Sequence, residues 1–189
     1  MSSFKEQYAI FAVPKGRLQE QLQEEIVHLG KKCHAPTFAP HTTVLAAIER
    51  PREEVLALAA EMCKKVKKYR INFTEVARGS IYYQCVYLLV DKTEGAMAAG
   101  AAAREVFGMT TGPYMPHLSL LYSDMPQEER AKIVQHEKER LFNNPDTRLV
   151  DTGFDVDSLA VWYVPEEDKS LAGWCQLAEF PLAGEGAAA

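Results

Sequence analysis

Two histidines in this sequence sit in surroundings that repeat. His117 lies within residues 114–122, YMPHLSLLY, and His41 within residues 38–45, FAPHTTVL. Both strings read aromatic, any residue, Pro, His, any residue, hydroxyl, aliphatic, Leu. On a strand, alternate side chains share a face. His41 and Thr43 then point one way with Thr42 and Val44 behind them, and His117 and Ser119 point one way with Leu118 and Leu120 behind. Each strand offers an imidazole beside a hydroxyl. Two imidazoles titrating near neutrality can divide the work of general acid and general base. Two hydroxyls can donate to the non-bridging oxygens of a phosphate, each such bond contributing roughly 1.5–3 kcal/mol. Acid and base catalysis supply about 10²–10⁴-fold per group, which suits an activated diester such as a strained five-membered cyclic phosphate.

A single His-x-Ser/Thr on a strand is more often a satisfied core histidine, so it is the matched pair that points to a joint site. A metal site would need a carboxylate or thiol beside the two histidines, and neither string contains one. Ser119 lacks a G-x-S-x-G context, which argues against a serine nucleophile. His28 lies beside the apolar stripe of a helix, His136 on a charged helical face, and His34 in a loop near the first motif, where exposure is the simplest expectation. Tyr83 and Tyr122 read as core or cleft wall. Strand alternation from Ser119 puts Tyr122 on the opposite face unless the strand end re-aims it.

The elements that must position these residues follow from periodicity. Residues 8–13 read as a buried strand stopped by Pro14. Leu18, Leu22, Ile26 and Leu29 mark an amphipathic helix ending near Gly30, and 41–48 reads as a strand. A helix with Pro51 in its first turn carries Val55, Leu58, Met62, Val66 and Tyr69 inward, and 71–76 is a third strand. The pattern then repeats: a long strand over 81–90, a helix over 94–107 with Met97, Ala101 and Val106 inward, and the His117 strand over 116–122. A helix over about 127–142 follows with Ile133, Val134 and Leu141 inward, then strands over 154–164 and 174–182. The tail, 184–189, is expected to be disordered. Strand, helix, motif strand, helix, strand therefore occurs twice. This predicts one bilobal domain over 1–183 with pseudosymmetric lobes at about 1–78 and 79–183. A doubly wound parallel sheet is the alternative, weakened because no glycine-rich phosphate loop follows the first strand.

The bulk properties bound the rest. A chain of 189 residues with a net charge of −5 has no basic footprint for long nucleic acid, whereas a nucleotide-sized anion needs only local positive potential. Residues 1–8 lack the apolar region of a signal peptide, and no apolar run is long enough to span a membrane. The four cysteines, Cys33, Cys63, Cys85 and Cys175, form no C-x-x-C pair and read as reduced thiols of a cytoplasmic protein.

The paired His-x-Ser/Thr motifs, with YYQCVYLLV at 82–90 and YMPHLSLLY at 114–122, resemble the 2H phosphoesterase superfamily and within it the plant and yeast cyclic phosphodiesterases. The resemblance runs from about Tyr8 to Phe180. It implies an α+β, bilobal, LigT-like fold with two antiparallel sheets facing across a central cleft and helices outside. It implies hydrolysis of ADP-ribose 1″,2″-cyclic phosphate to ADP-ribose 1″-phosphate, and of nucleoside 2′,3′-cyclic phosphates to 2′-phosphates, without metal or other cofactor. His41 and His117 are then the catalytic pair, Thr43 and Ser119 hold the phosphate, and Tyr122 and Tyr83 contact the substrate. Ala103 and Met109 stand where some relatives carry cysteines, so redox control through that pair is not expected. The near-symmetry leaves the order of roles open, with a lean to His117 as base and His41 as acid. The expected partner is a small cyclic phosphate nucleotide bound by a monomer. The competing readings are an RNA-end-processing relative and a non-catalytic nucleotide-binding module.

Overall fold

The computed structural model describes residues 6–110, 112–165 and 169–184. Its strands are β1 (Tyr8–Ala12), β2 (Thr42–Ile48), β3 (Tyr69–Arg78), β4 (Val86–Val90), β5 (His117–Leu121), β6 (Gly153–Val156), β7 (Ser158–Tyr163) and β8 (Cys175–Pro181). Its helices are α1 (Gly16–Cys33), α2 (Arg52–Lys65), α3 (Glu94–Phe107) and α4 (Gln127–Lys138). The strands pair in the order β6-β3-β4-β5-β2-β1-β7-β8, with every neighbouring pair antiparallel. This is an α+β fold, and the antiparallel pairing excludes the doubly wound alternative. The two expected sheets are its two four-stranded halves, and they meet at the motif strands. β2 and β5 are in ladder register at one residue pair, Thr42 with Leu118, so the seam between the halves is the most weakly paired junction of the sheet.

The half-sheets do not follow the two halves of the chain. β3 leaves α2 and pairs with β4 and β6, whereas β7 and β8 return to lie beside β1. A boundary near residue 78 therefore does not separate the half-sheets; each lobe borrows strands from the other half of the sequence. The run expected as one strand over 154–164 is divided at Asp157 into β6 at one edge of the sheet and β7 in the opposite half. The stretch 81–90 likewise does not run straight. Residues 82–84 form a 3₁₀ turn, and Gly79 donates its N–H to the Gln84 carbonyl at 2.8 Å. A Cβ at Gly79 would lie 2.5 Å from that carbonyl oxygen, so this tight loop requires glycine.

Helices cover the rear of the motif strands reciprocally. α1 packs on β5 and α3 packs on β2, so each motif strand is backed by the helix of the other repeat. Leu18, Leu22, Ile26 and Leu29 form the buried face of α1, as their spacing predicts. In α3 the inner face is instead Ala96, Ala99, Gly100, Ala103 and Phe107, and Ala101 is exposed. Small residues face inward because the helix lies close to its neighbours: a Cβ on Gly100 would meet the Tyr114 ring at 2.5 Å. α2 ends at Lys65, and Tyr69, expected on its inner stripe, opens β3. α1 continues past Gly30 to Cys33 and is closed by His34 in the left-handed conformation (φ 53°). Beyond Lys138, α4 widens into a π turn over Glu139–Asn143, with Leu141 buried. His28, His34 and His136 are all exposed. Among the described residues, no helix is long and apolar enough to cross a membrane. The tail's expected disorder falls mostly on residues 185–189, outside the described residues.

Candidate active site

His41 immediately precedes β2 and His117 opens β5, so the Thr42–Leu118 pairing brings the two motifs side by side. Leu118 and Leu120 are fully buried behind β5, and Val44 and Leu45 are buried in β2. Burying such a side chain contributes about 1.5–3 kcal/mol, which holds each strand in the register that aims its histidine forward. In front of the strands lies a cavity of about 250 Å³, lined by His41, Thr43, Tyr83, His117, Ser119 and Tyr122. All six residues singled out in the sequence share it.

The imidazoles are tethered in the same way. His41 Nδ1 lies 2.7 Å from the carbonyl of Ala39, and His117 Nδ1 lies 2.9 Å from the carbonyl of Met115. Each bond spans two residues across the proline of its motif. A carbonyl only accepts, so each Nδ1 carries the hydrogen, and Nε2 is left as the nitrogen that can take or give a proton. The repeat thus specifies tautomer as well as position.

The two rings differ in their packing. His41 is 5% exposed and stacks on Phe11, with ring centroids 3.8 Å apart and planes 19° apart. Phe38 meets it edge-on at 6.1 Å and Trp174 lies at 6.2 Å. His117 contacts the ring of Tyr87 at 5.0 Å and is only partly buried. Burial pushes the His41 imidazole down to about 4, against the opposing pull of the Ala39 carbonyl and with a smaller downward push from His117. Burial also lowers His117, opposed by the Met115 carbonyl.

The hydroxyls differ as well. Ser119 Oγ donates to the Tyr83 carbonyl at 3.0 Å. The Thr43 hydroxyl, half-buried on the cleft wall, makes no hydrogen bond to a described residue. Tyr122 lies one residue beyond the end of β5, where it escapes strand alternation and enters the cleft wall. It stacks on Phe38 at 3.9 Å and meets Tyr83 edge-on at 5.1 Å. Burial raises its phenol above the usual range, and Ser119 opposes the shift. Tyr83 reaches the cleft from the 3₁₀ turn, whereas Tyr82 lies under Lys169, whose Nζ is 4.7 Å from the ring centroid.

One buried cation holds this wall together. Arg130 of α4, 3% exposed, donates to the carbonyls of Met125 (2.8 Å), Gly79 (2.8 Å), Ser123 (3.1 Å) and Ile81 (3.3 Å). It ties the loop leading to Tyr83 to the segment leaving Tyr122. Sequence reasoning did not find Arg130, Phe11 or Trp174. No local pattern marks them; Phe11 is placed by its register opposite Thr43, which only strand pairing reveals. Among the described residues, no group of three or more His, Cys, Asp or Glu side chains could hold a metal ion. The site can therefore offer paired proton transfer at two Nε2 atoms and hydroxyl donors beside them.

Comparison with known proteins bears on the chain as a whole. The chain is 32% identical over 171 residues to a cyclic phosphodiesterase from Arabidopsis thaliana, covering 90% of this chain and 92% of that protein. It is 29% identical over 125 residues to a 2′,3′-cyclic-nucleotide 3′-phosphodiesterase from Phaeosphaeria nodorum, covering 59% of this chain and 63% of that one. In fold it is similar to E. coli LigT in apo form, with a TM-score of 0.64 and 13% identity over 96% of this chain and 99% of that chain. Residues 7–182 match the family described as cyclic phosphodiesterase-like protein, and with the match spanning nearly the whole chain, the protein belongs to that family.

Proposed function

We propose that this protein is a cyclic phosphodiesterase that opens nucleoside 2′,3′-cyclic phosphates to 2′-phosphates and ADP-ribose 1″,2″-cyclic phosphate to ADP-ribose 1″-phosphate. It does so as a monomer, by two-histidine acid–base catalysis. The observation that carries the reading is the matched tethering of His41 and His117, which leaves two Nε2 atoms on one cleft with Thr43 and Ser119 beside them. The names of the Arabidopsis and Phaeosphaeria relatives support the substrate class.

In this mechanism the hydroxyls of Thr43 and Ser119 donate to the non-bridging oxygens, Ser119 turning from the Tyr83 carbonyl to do so. One imidazole takes a proton from water as it attacks phosphorus; the other protonates the departing ribose oxygen. We assign His117 as base and His41 as acid. The assignment follows packing: His117 is the less enclosed ring and the one water reaches more readily, while the negative charge of bound substrate favours the protonated form that His41 needs as acid. The test is turnover of a 2′,3′-cyclic nucleotide by His41→Ala and His117→Ala. Each is expected to lose at least about a hundredfold, with a chelator leaving the wild type unaffected. Near-normal turnover in either variant would overturn the assignment.

A further inference from the structure

The described residues lining the cleft include no lysine, arginine, aspartate or glutamate. The described lining groups that can become cationic are the two histidines; the other polar side chains are hydroxyls and the amides of Gln7 and Gln84. Ala9, Phe11, Val164 and Trp174 complete an apolar wall. Of the cations on nearby elements, Lys169 sits over the Tyr82 ring and 3.8 Å from Asp124, and two arginines are engaged elsewhere. Arg130 is held by four carbonyls, and Arg104 turns to the carbonyls of Gly100 and Val44 and to the face of Tyr114. A phosphate-handling site without a fixed cation is unusual, because a doubly charged anion loses far more hydration on entry than a singly charged one.

We infer that this cleft selects phosphate by charge, admitting singly charged phosphodiesters and expelling doubly charged phosphomonoesters, so that the second ionisation of the product drives its release. The inference rests on the cyclic phosphodiesterase reading above. A cyclic phosphate carries one negative charge, which one imidazolium and two hydroxyl donors can balance. Hydrolysis forms one P–O bond from water and breaks one P–O bond to ribose. One proton passes to the base and one leaves the acid for the ribose oxygen. The product is a monoester whose second proton is lost near pH 6. Above that pH it carries two charges, and among the described lining residues no lysine or arginine matches the second. Any further negative charge on a larger substrate, such as a diphosphate bridge, must lie outside this cavity.

The test compares binding of 3′-deoxyadenosine 2′-monophosphate and its methyl ester by calorimetry. Neither ligand can cyclise, and the ester stays singly charged throughout. At pH 5.5 the two should bind within about threefold of each other. At pH 8, where about 1% of the monoester remains singly charged, it should bind at least about tenfold more weakly than the ester. Forming their ratio removes the titration of the histidines common to both. A monoester that binds as tightly as its ester at pH 8, or more tightly, overturns the inference. Gln84→Lys, and independently Ala46→Lys at an exposed position on the cleft wall, should close the pH 8 gap about tenfold or more by supplying the missing charge. Folded variants that leave the gap unchanged would show that the missing cation does not set it. Turnover of a 2′,3′-cyclic nucleotide, measured in parallel, separates the two ideas: the expected gap without turnover removes the enzymatic reading and leaves the charge selection standing.

Discussion

The burial of His41 makes the stability of the empty protein depend on pH in a way that one substitution can isolate. In the unfolded chain this imidazole takes up a proton near 6.5; in the folded protein it does so only near 4. Between those values the unfolded state binds more protons, so stability falls as pH falls. The contribution is complete above pH 6.5 and is lost as pH drops through the folded value. At about 1.4 kcal/mol per pH unit, the full difference is about 3 kcal/mol. The physical cause is enclosure of the ring by Phe11, Phe38 and Trp174, which removes the water that would solvate an imidazolium.

The informative comparison is wild type against His41→Phe, by urea denaturation at several pH values between 7.5 and 4. Phenylalanine retains a flat ring against Phe11 and cannot titrate. Its loss of the Ala39 hydrogen bond costs the same at every pH. Other ionisable groups contribute almost equally to both proteins and largely cancel in the difference. Relative to wild type, the variant should gain about 2–3 kcal/mol as pH falls from 7 to 4. A stability difference that stays constant over this range refutes the reasoning. It would mean that water reaches the ring and that the aromatic enclosure does not govern its protonation.

Four further substitutions probe other contacts of the structure. Arg130→Met should destabilise the protein by about 3–5 kcal/mol in chemical denaturation, because carbonyls of both loops lose their buried donor; a loss below about 1 kcal/mol contradicts its role as a clamp. Thr43→Val should leave the stability of the empty protein nearly unchanged while lowering kcat/KM for a cyclic nucleotide about 10–100-fold. Ser119→Ala should lose about 1 kcal/mol of stability as well, since Ser119, unlike Thr43, bonds a described residue at rest, the Tyr83 carbonyl. Glu137, buried between His136 and Glu25, has its carboxyl pushed up to about 7, chiefly by burial. Its contribution is present below the unfolded value of 4.5 and is lost as pH rises through 7, so Glu137→Gln should gain on wild type between pH 5 and 8; an unchanged difference in melting temperature would refute it.

What was legible in the sequence is what repeats. The two motifs carry their own anchoring: proline ahead of histidine opens each strand, and each imidazole bonds back across it to a carbonyl two residues earlier. The apolar alternation behind them, Leu118 and Leu120 above all, survives as full burial. Such signals are local, so a periodic reading finds them. The strand exchange is not local. A stretch such as 154–164 is largely apolar whether it forms one strand or two strands in opposite half-sheets, because both bury similar faces; only pairing partners distinguish the cases. The same limit applies to α3, whose inner face consists mostly of alanine and glycine because Tyr114 crowds it, so a search for large apolar residues selects the wrong stripe.

The asymmetry between the two repeats belongs to this non-local class, and it bears most directly on chemistry. The motifs are nearly interchangeable as text, and their tethers are nearly interchangeable as geometry. Each imidazole meets a ring from the neighbouring strand of its own repeat, Phe11 for His41 and Tyr87 for His117; what His41 has in addition is Trp174, just ahead of β8, which reaches the Phe11–His41 stack because β7 and β8 return to the first half-sheet. The exchange of strands that disguises the lobes therefore adds one more ring to the enclosure of His41. A perfectly duplicated protein would hold two imidazoles of equal strength facing one phosphate. Here the fold makes one a weaker base than the other before any substrate arrives, which is the condition for dividing acid and base roles between two chemically identical side chains.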